Sequence, residues 1–370
     1  MAWLRLIRSR RVGPATFWRL MAEHGSAVAA LAALPDIAQA AGIPDYAPFP
    51  EALARAEAAA ARRAGARLLM RGMDSYPKSL ADLADAPPLL WAIGDPALMA
   101  RPMVALVGAR NASSLGMRMA RRLAADLREA GYVVVSGLAR GIDAAAHDAA
   151  LPGATIAVQA GGVDHIYPQE NASLATRIAE TGCRLSEQAM GLAPQARHFP
   201  LRNRLISGLA RAVVVVEAAA RSGSLITART ALDQGRDVFA IPGHPFDARA
   251  GGCNQLIRDG ATLIRSAADV IEALGPGLSP PPAPPAHPEP PAAEPPTVTK
   301  AIAPGTETPL RRIAALHRQI LDRLGPSPVA EDQLIRDLCL APSEVAPHLT
   351  TLELDGKLQR QPGGLIARLT

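Results

Sequence analysis

The sequence predicts an α/β fold: a doubly wound parallel sheet, with a small helical domain before it and a winged-helix-like domain after it. Two patterns carry this expectation. Short apolar runs alternate with helical segments from residue 103 to residue 265, the pattern of right-handed βαβ crossovers. On either side the pattern changes, to a continuous helical period over 1–65 and, beyond a stretch dominated by proline and alanine, to amphipathic helices near the end. The expected domains are therefore 1–65, 66–275, a linker over 276–309, and 310–370.

In chain order, residues 4–11 and 15–24 are helical in period and flank Val12-Gly13-Pro14, with a second break at Gly25-Ser26. This suggests a helix-hairpin-helix or similar packing unit, although no full G-x-G hairpin is present. Residues 66–101 read as a connection, punctuated by Tyr76-Pro77, Pro87-Pro88 and Gly94-Asp95-Pro96. Strands are then expected at 103–107, 132–135, 155–159, 183–186, 213–216 and 238–241. The β-branched run at 213–216 is the signature of a strand buried on both faces. The run PPPAPPAHPEPPAAEPP reads as an extended spacer. Beyond it, helices are expected at 310–324, at 331–339 and from Ser343, followed by a hairpin turning at Pro362-Gly363-Gly364. The last helix carries Glu344, Glu353 and Asp355 against only His348, which suits a protein contact better than DNA.

Composition narrows the function. With 49% apolar residues the chain has enough for a sizeable core. The N-terminus is charged at Arg5, Arg8, Arg10 and Arg11 and lacks the apolar stretch of a secretory signal. No apolar run approaches the ~20 residues of a membrane span. Cys183, Cys253 and Cys339 are far apart and odd in number, which argues against a disulfide framework or a CxxC metal site. The expected setting is cytoplasmic and reducing, with no membrane partner. Residues 101–265 hold 19 arginines, no lysine and 13 acidic residues, a larger excess than the +5 of the whole chain. A basic centre points to a polyanion. Coding bias also enriches arginine, so position matters more than count.

Position favours the strand ends. Glycine sits beside polar or cationic residues at Gly108/Arg110, Ser136/Gly137/Arg140/Gly141, Gly161/Gly162/Asp164 and Ser222/Gly223/Ser224. In open α/β sheets ligands bind outside the carboxyl ends of the strands, where turn and helix N–H groups favour an anion. The cluster Arg202-Asn203-Arg204 follows Phe199, and guanidinium forks match phosphate oxygens. A solvated helix face and an ordinary N-cap would explain the same residues. Phe199 and Tyr167 are candidate platforms for bases, which stack on aromatic faces without sequence preference; core packing is the alternative, favoured for Tyr167. Neither G-x-G-x-x-G after the first strand nor GxxxxGK[ST] occurs, which disfavours dinucleotide redox chemistry and ATP hydrolysis. Asp143, His147, Asp164, Glu187 and Glu217 are the acid–base candidates, and Asp143 and His147, spaced i, i+4, are expected to pair. HExxH, GxSxG and EF-hand patterns are absent. No catalytic residue, metal site or cofactor is assigned.

The motifs VGARNASSLG (107–116), SGLARGIDAAAH (136–147), AGGVDHIYPQEN (160–171), FPLRNRLISGLA (199–210), VVEAAARSGSLITA (215–228), GRDVFAIPG (235–243) and GGCNQLIRDGA (251–261) together resemble the DNA-processing protein A family, also called DprA or Smf. The resemblance covers most of 103–265. It implies an extended Rossmann-like domain that binds single-stranded DNA without sequence preference and without catalysis. It also implies a homodimer that interacts with the RecA recombinase and loads it onto incoming DNA in natural transformation. Carried onto this chain, the family pattern puts Arg110, Phe199, Arg202 and Arg204 at the DNA groove. Strand-end geometry extends the expected DNA-binding set to Gly137, Gly141, Gly162, Ser222 and Ser224, and the neighbouring Arg140, Asn203 and Gly223 complete it. Gln159 departs from the family pattern, which has leucine there, and arginine stands throughout where some lysine is expected. The competing class is a Rossmann-like nucleotide-processing enzyme akin to the phosphoribohydrolases. Their PGGxGTxxE turn is missing from SGSLITA and from Pro242-Gly243-His244.

Overall fold

The apolar runs of the central region form strands whose residues are buried on both faces, and a computed structural model shows how they assemble. It describes residues 1–277, 309–324, 328–338, 340–361 and 364–369. Most of the Pro/Ala-rich stretch, Cys339 and the Pro362-Gly363 part of the last turn lie outside the described residues. Contacts divide the chain into two compact units, one holding most of residues 1–277 and the other the C-terminal elements.

The first unit is organised by one nine-stranded sheet. Its strands are β1 (Arg67–Met70), β2 (Leu89–Gly94), β3 (Met103–Val107), β4 (Val133–Ser136), β5 (Thr155–Val158), β6 (Cys183–Ser186), β7 (Ala212–Val215), β8 (Asp237–Ala240) and β9 (Thr262–Leu263). The spatial order is β1-β2-β6-β5-β4-β3-β7-β8-β9. From β6 to β9 every pair is parallel, whereas β2 is antiparallel to both β1 and β6. From β3 the chain builds outward through β4, β5 and β6, then returns to β7 and continues through β8 and β9. The switch point lies between β3 and β7, where open α/β sheets form a crevice.

The helices are α1 (Ala2–Arg8), α2 (Pro14–His24), α3 (Ala27–Ala40), α4 (Glu51–Arg63), α5 (Lys78–Ala81), α6 (Ser114–Glu129), α7 (Ile142–Ala150), α8 (Ala172–Thr181), α9 (His198–Leu209), α10 (Ser224–Asp233), α11 (Gly251–Arg258) and α12 (Ala267–Leu274). Strand residues alternate between two cores, as the two-residue period requires. Met103, Ala105 and Val107 pack with Leu205, Ile206 and Leu225 on one face. Val104 and Leu106 pack with Leu123, Leu127, Ile142 and Val270 on the other.

Two findings differ from the sequence reading. The stretch 66–101 holds strands β1 and β2, since the apolar LLWAIG run pairs along β6 despite the proline turns around it. The N-terminal helices also belong to the same compact unit as the sheet. Leu4, Ala54 and Ala61 share a core with Leu89, Trp91 and Val163. Buried Glu57 accepts from Trp91 Nε1 at 2.8 Å and pairs with Arg8 at 2.9 Å, while Trp18 Nε1 donates to Ala86 O at 2.8 Å.

The second unit has α13 (Pro309–Arg323), β10 (Val329–Ala330), α14 (Glu331–Leu338), α15 (Pro342–Leu354), β11 (Leu358–Gln361) and β12 (Leu365–Arg368). Its antiparallel sheet has the order β10-β12-β11, and Ile320, Leu334, Leu349, Leu352 and Ile366 fill its core. Three helices on a small sheet make a winged-helix fold. Arg360 bridges Glu331 at 3.3 Å and Glu353 at 2.8 Å, offsetting part of the acidic surface.

Among the described residues no helix is long and apolar enough to cross a membrane, and no group of three His, Cys, Asp or Glu side chains could hold a metal ion. Cys183 and Cys253 are free thiols, pushed up to about 12 by burial.

Candidate functional site

At the switch point, the loops after β3, β4 and β7 and the first turns of α9 and α10 enclose a groove of about 740 Å³. Beside it lies a notch of about 220 Å³, with Arg110, Arg140, Phe199 and Arg202 in both walls. The exposed Arg110 guanidinium sits over the Phe199 ring, 5.1 Å from its centroid. Tyr167, 48% exposed, faces Phe199 at 5.9 Å between centroids with a 55° tilt. Tyr167 is therefore at the mouth of the notch and not in the core. Both rings leave space beside a cation, the arrangement that accepts a flat, electron-rich group next to an anion.

The loop after β4 is held from within. Gly137 N–H donates to Asp143 Oδ2 at 3.0 Å and Ala139 N–H to the same oxygen at 3.4 Å. Leu138, whose φ is +56°, donates its N–H to His147 Nε2 at 3.3 Å. His147 Nδ1 meets Thr155 Oγ1 at 2.6 Å, and Thr155 in turn donates to Val134 O at 3.0 Å. This chain of bonds selects the neutral imidazole with its proton on Nδ1. Burial pushes His147 down to about 3. Burial raises the Asp143 carboxyl, with Arg202 and the loop N–H groups opposing that shift. Asp143 and His147 do not pair with each other as their spacing suggests; each reaches back to the loop. At the next turn Gly141 has φ +74°, and a Cβ there would fall 2.2 Å from Ala109 O.

The expected site residues separate into two groups. Arg110, Gly137, Arg140, Phe199, Arg202, Asn203, Ser222, Gly223 and Ser224 line the groove or notch. Arg140 stands at the mouth, paired with Glu170 at 3.2 Å. Ser222 and Ser224 share a hydroxyl contact at 2.7 Å. Arg202 is in the wall but buried: its Nη1 donates to Val158 O at 2.9 Å, and burial brings it down to about 10.

Four expectations need correcting. Arg204 is turned away from the groove, because residues two apart on a helix do not share a face. It pairs with Glu187 and, at 3.5 Å, with Asp85, and its Nη1 donates to Asp85 O at 2.9 Å. Gly162 lies outside both cavities and its N–H donates to Leu192 O at 2.8 Å. The Gly137 N–H, expected to meet a phosphate, donates to Asp143 Oδ2; Gly141 packs beneath the rim and lines neither cavity.

The sequence reading missed Asn111, Arg221 and Arg249, which also line the groove. Arg221 immediately precedes the Ser222 turn, the one signal that pointed to it. Gln159, the departure from the expected leucine, is buried and its Nε2 donates to His165 O at 2.8 Å, fastening the turn that carries Asp164. Asp164 accepts from Gly191 N–H at 2.8 Å, and Glu187 is held by Arg204.

Residues 67–275 match the family model described as DNA recombination-mediator protein A. Residues 1–60 match a DprA-like N-terminal HHH domain, and 279–364 a DprA winged helix domain. DNA processing protein DprA of Bacillus subtilis (strain 168) is 45% identical over 219 residues, which cover 58% of this chain and 74% of that protein. Protein Smf of Escherichia coli (strain K12) is 36% identical over 302 residues, covering 81% and 76%. The X-ray structure of DNA processing protein A from Streptococcus pneumoniae aligns with a TM-score of 0.53 at 44% identity, over 56% of this chain and 73% of that one. The Helicobacter pylori protein, whose structure is described for its unique single-stranded DNA binding mode, aligns with the same TM-score of 0.53 at 32% identity, over 56% and 95%.

Proposed function

The chain belongs to the DNA recombination-mediator protein A family, and from that premise we propose that it binds single-stranded DNA in the switch-point groove without sequence preference. One observation carries this reading: Arg110 poised over Phe199 beside exposed Tyr167, a cation and two aromatic faces at one mouth. Single strands are held by cations along the backbone and aromatic faces under the bases, and neither reads sequence. Arg221 and the Ser222–Ser224 turn extend the groove toward α10, where a backbone phosphate would meet the N-terminus of that helix.

The protein acts as a binder in this reading, without bond cleavage, and works in the cytoplasm as a homodimer that loads RecA onto incoming DNA. The engagement of four of the five acid–base candidates supports the non-catalytic part. Asp143 and His147 fasten a loop, Asp164 fastens a turn, and Glu187 is held in an ion pair.

The test is salt-dependent binding of a labelled oligonucleotide, single- against double-stranded. A single-strand preference is expected, weakening steeply with salt, with a log–log slope of ~0.7 per phosphate neutralised. Equal, weak binding to both forms would overturn the groove assignment. Release of base or ribose from nucleoside monophosphates would make the protein an enzyme instead.

A further inference from the structure

The sheet has a second cavity, of about 610 Å³, at its opposite edge. The proposed DNA groove gathers where β3 and β7 end. This cleft gathers where β1, β3 and β7 begin, at Arg67, Met103 and Arg211, and where β2 runs out at Asp95. The length of β3 separates the two, roughly 15 Å at the rise of a strand.

Four cations stand in its wall: Arg67, Lys78, Arg101 and Arg211. Lys78 is the only lysine in the first 299 residues. None of the four forms an ion pair among the described residues. Arg67, Lys78 and Arg211 are exposed. Arg101 is fixed by donating to Gly153 O at 3.1 Å and Gly131 O at 3.2 Å, and its Nε has no partner. Two carboxylates, Asp74 and Asp95, stand among them, and Asp95 Oδ1 already accepts from Ala97 N–H at 3.0 Å. Its accessible apolar lining is Pro96, Ala97, Ala100 and Pro102, with Met99, Met103 and Leu209 buried beneath.

We propose that this cleft is a docking site for an acidic peptide segment of a partner protein, carrying one apolar anchor residue. Unpaired cations around the small apolar surface of Pro96, Ala97, Ala100 and Pro102 match carboxylates flanking an apolar side chain. Single-stranded DNA fits this cleft less well. Its only aromatic residue, Tyr76, is 3% exposed and donates its hydroxyl to Pro87 O at 2.7 Å, so no ring is offered to a base. The two aspartates would also repel a run of phosphates.

The test selects displayed random decapeptides on the full chain. The recovered peptides are then measured by fluorescence anisotropy against wild type and against Arg67→Glu/Lys78→Glu, whose two side chains are exposed and lie outside the groove. Recovered peptides are expected to combine Asp or Glu with an apolar residue and to bind the variant at least tenfold more weakly. A labelled single-stranded oligonucleotide is expected to bind both proteins equally, which separates this site from the groove whether or not the groove assignment holds. Peptides without acidic residues, or acidic peptides that bind the variant as tightly as wild type, would overturn the proposal. So would a variant that loses oligonucleotide affinity, which would assign the cleft to nucleic acid.

Discussion

Arg202 lies so close beneath Gly137 that a Cβ added at position 137 would fall 1.7 Å from its Nη1. The buried guanidinium braces the loop after β4 from below, with Val158 O as its acceptor at 2.9 Å. Gly137→Ala must push that brace out of a packed site. Overpacking of this kind costs about 1–3 kcal/mol. The expected result is a lower urea midpoint at unchanged m-value. Oligonucleotide affinity should fall as well, because Phe199 lies one turn before Arg202 on the same helix. An alanine variant with wild-type stability would show that the guanidinium relocates freely.

Arg204 and Arg110 should behave in opposite ways. Removing Arg204 leaves Glu187, whose side chain is 12% exposed, without its ion-pair partner. Breaking a buried pair from one side costs about 3–5 kcal/mol. Arg204→Ala is therefore expected to lower the thermal midpoint strongly while the folded protein keeps its oligonucleotide affinity. Arg110 is exposed and braces nothing, so Arg110→Ala should leave the midpoint in place and weaken binding, with the salt slope shallower by ~0.7. If Arg204→Ala stays fully stable yet stops binding DNA, its assignment away from the groove is wrong.

This contrast shows what the sequence made legible. The alternation of apolar runs with glycine turns revealed the doubly wound sheet, because strand burial and turn chemistry are local properties. The adjacency of Arg110 to its turn and of Phe199 to the RNR cluster was visible for the same reason. The direction of each side chain was not. Arg202 and Arg204 look equivalent in the string FPLRNR, and only the Asp85 and Glu187 carboxylates, brought in from distant elements, separate them. Asp143 and His147 have the spacing of a helical pair, but backbone N–H groups buried by the fold compete for both. Strands β1 and β2 were hidden because β1 pairs only with β2, and the pairing of β2 to β6 is long-range, whereas the prolines beside them are a local signal.

Phe199 is the main expected contact with bases. Loss of one stacking face costs ~1–3 kcal/mol, about 5- to 150-fold in affinity. Phe199→Ala should show such a loss with thymidine oligonucleotides, while Phe199→Tyr keeps most of the binding. Tyr167→Ala should cost less, since that ring is tilted at 55° to Phe199 and stands further out. Quenching of a 2-aminopurine probe would report the stacking directly. Equal binding by Phe199→Ala would leave Arg110 without an aromatic partner in recognition.

His147 gives the fold a pH dependence of defined sign. Its folded value, about 3, lies below the ~6.5 of an unfolded histidine. Between those values the unfolded chain binds the extra proton, so unfolding free energy rises with pH by about 1.4 kcal/mol per unit. The full contribution is present above about pH 6.5 and is lost on acidification; going from pH 6.5 to pH 5 removes about 2 kcal/mol. Asp143 acts in the opposite direction, because its raised carboxyl value leaves the folded state holding more protons just above the unfolded value. The difference between two proteins isolates the histidine. His147→Gln cannot titrate, although its amide can still accept from Leu138 N–H and donate to Thr155 Oγ1. Denaturant unfolding at pH 5 and pH 7 should show wild type losing about 2 kcal/mol more than the variant. Parallel losses would mean that another group carries the acid sensitivity and that the imidazole is protonated or exposed in the folded loop.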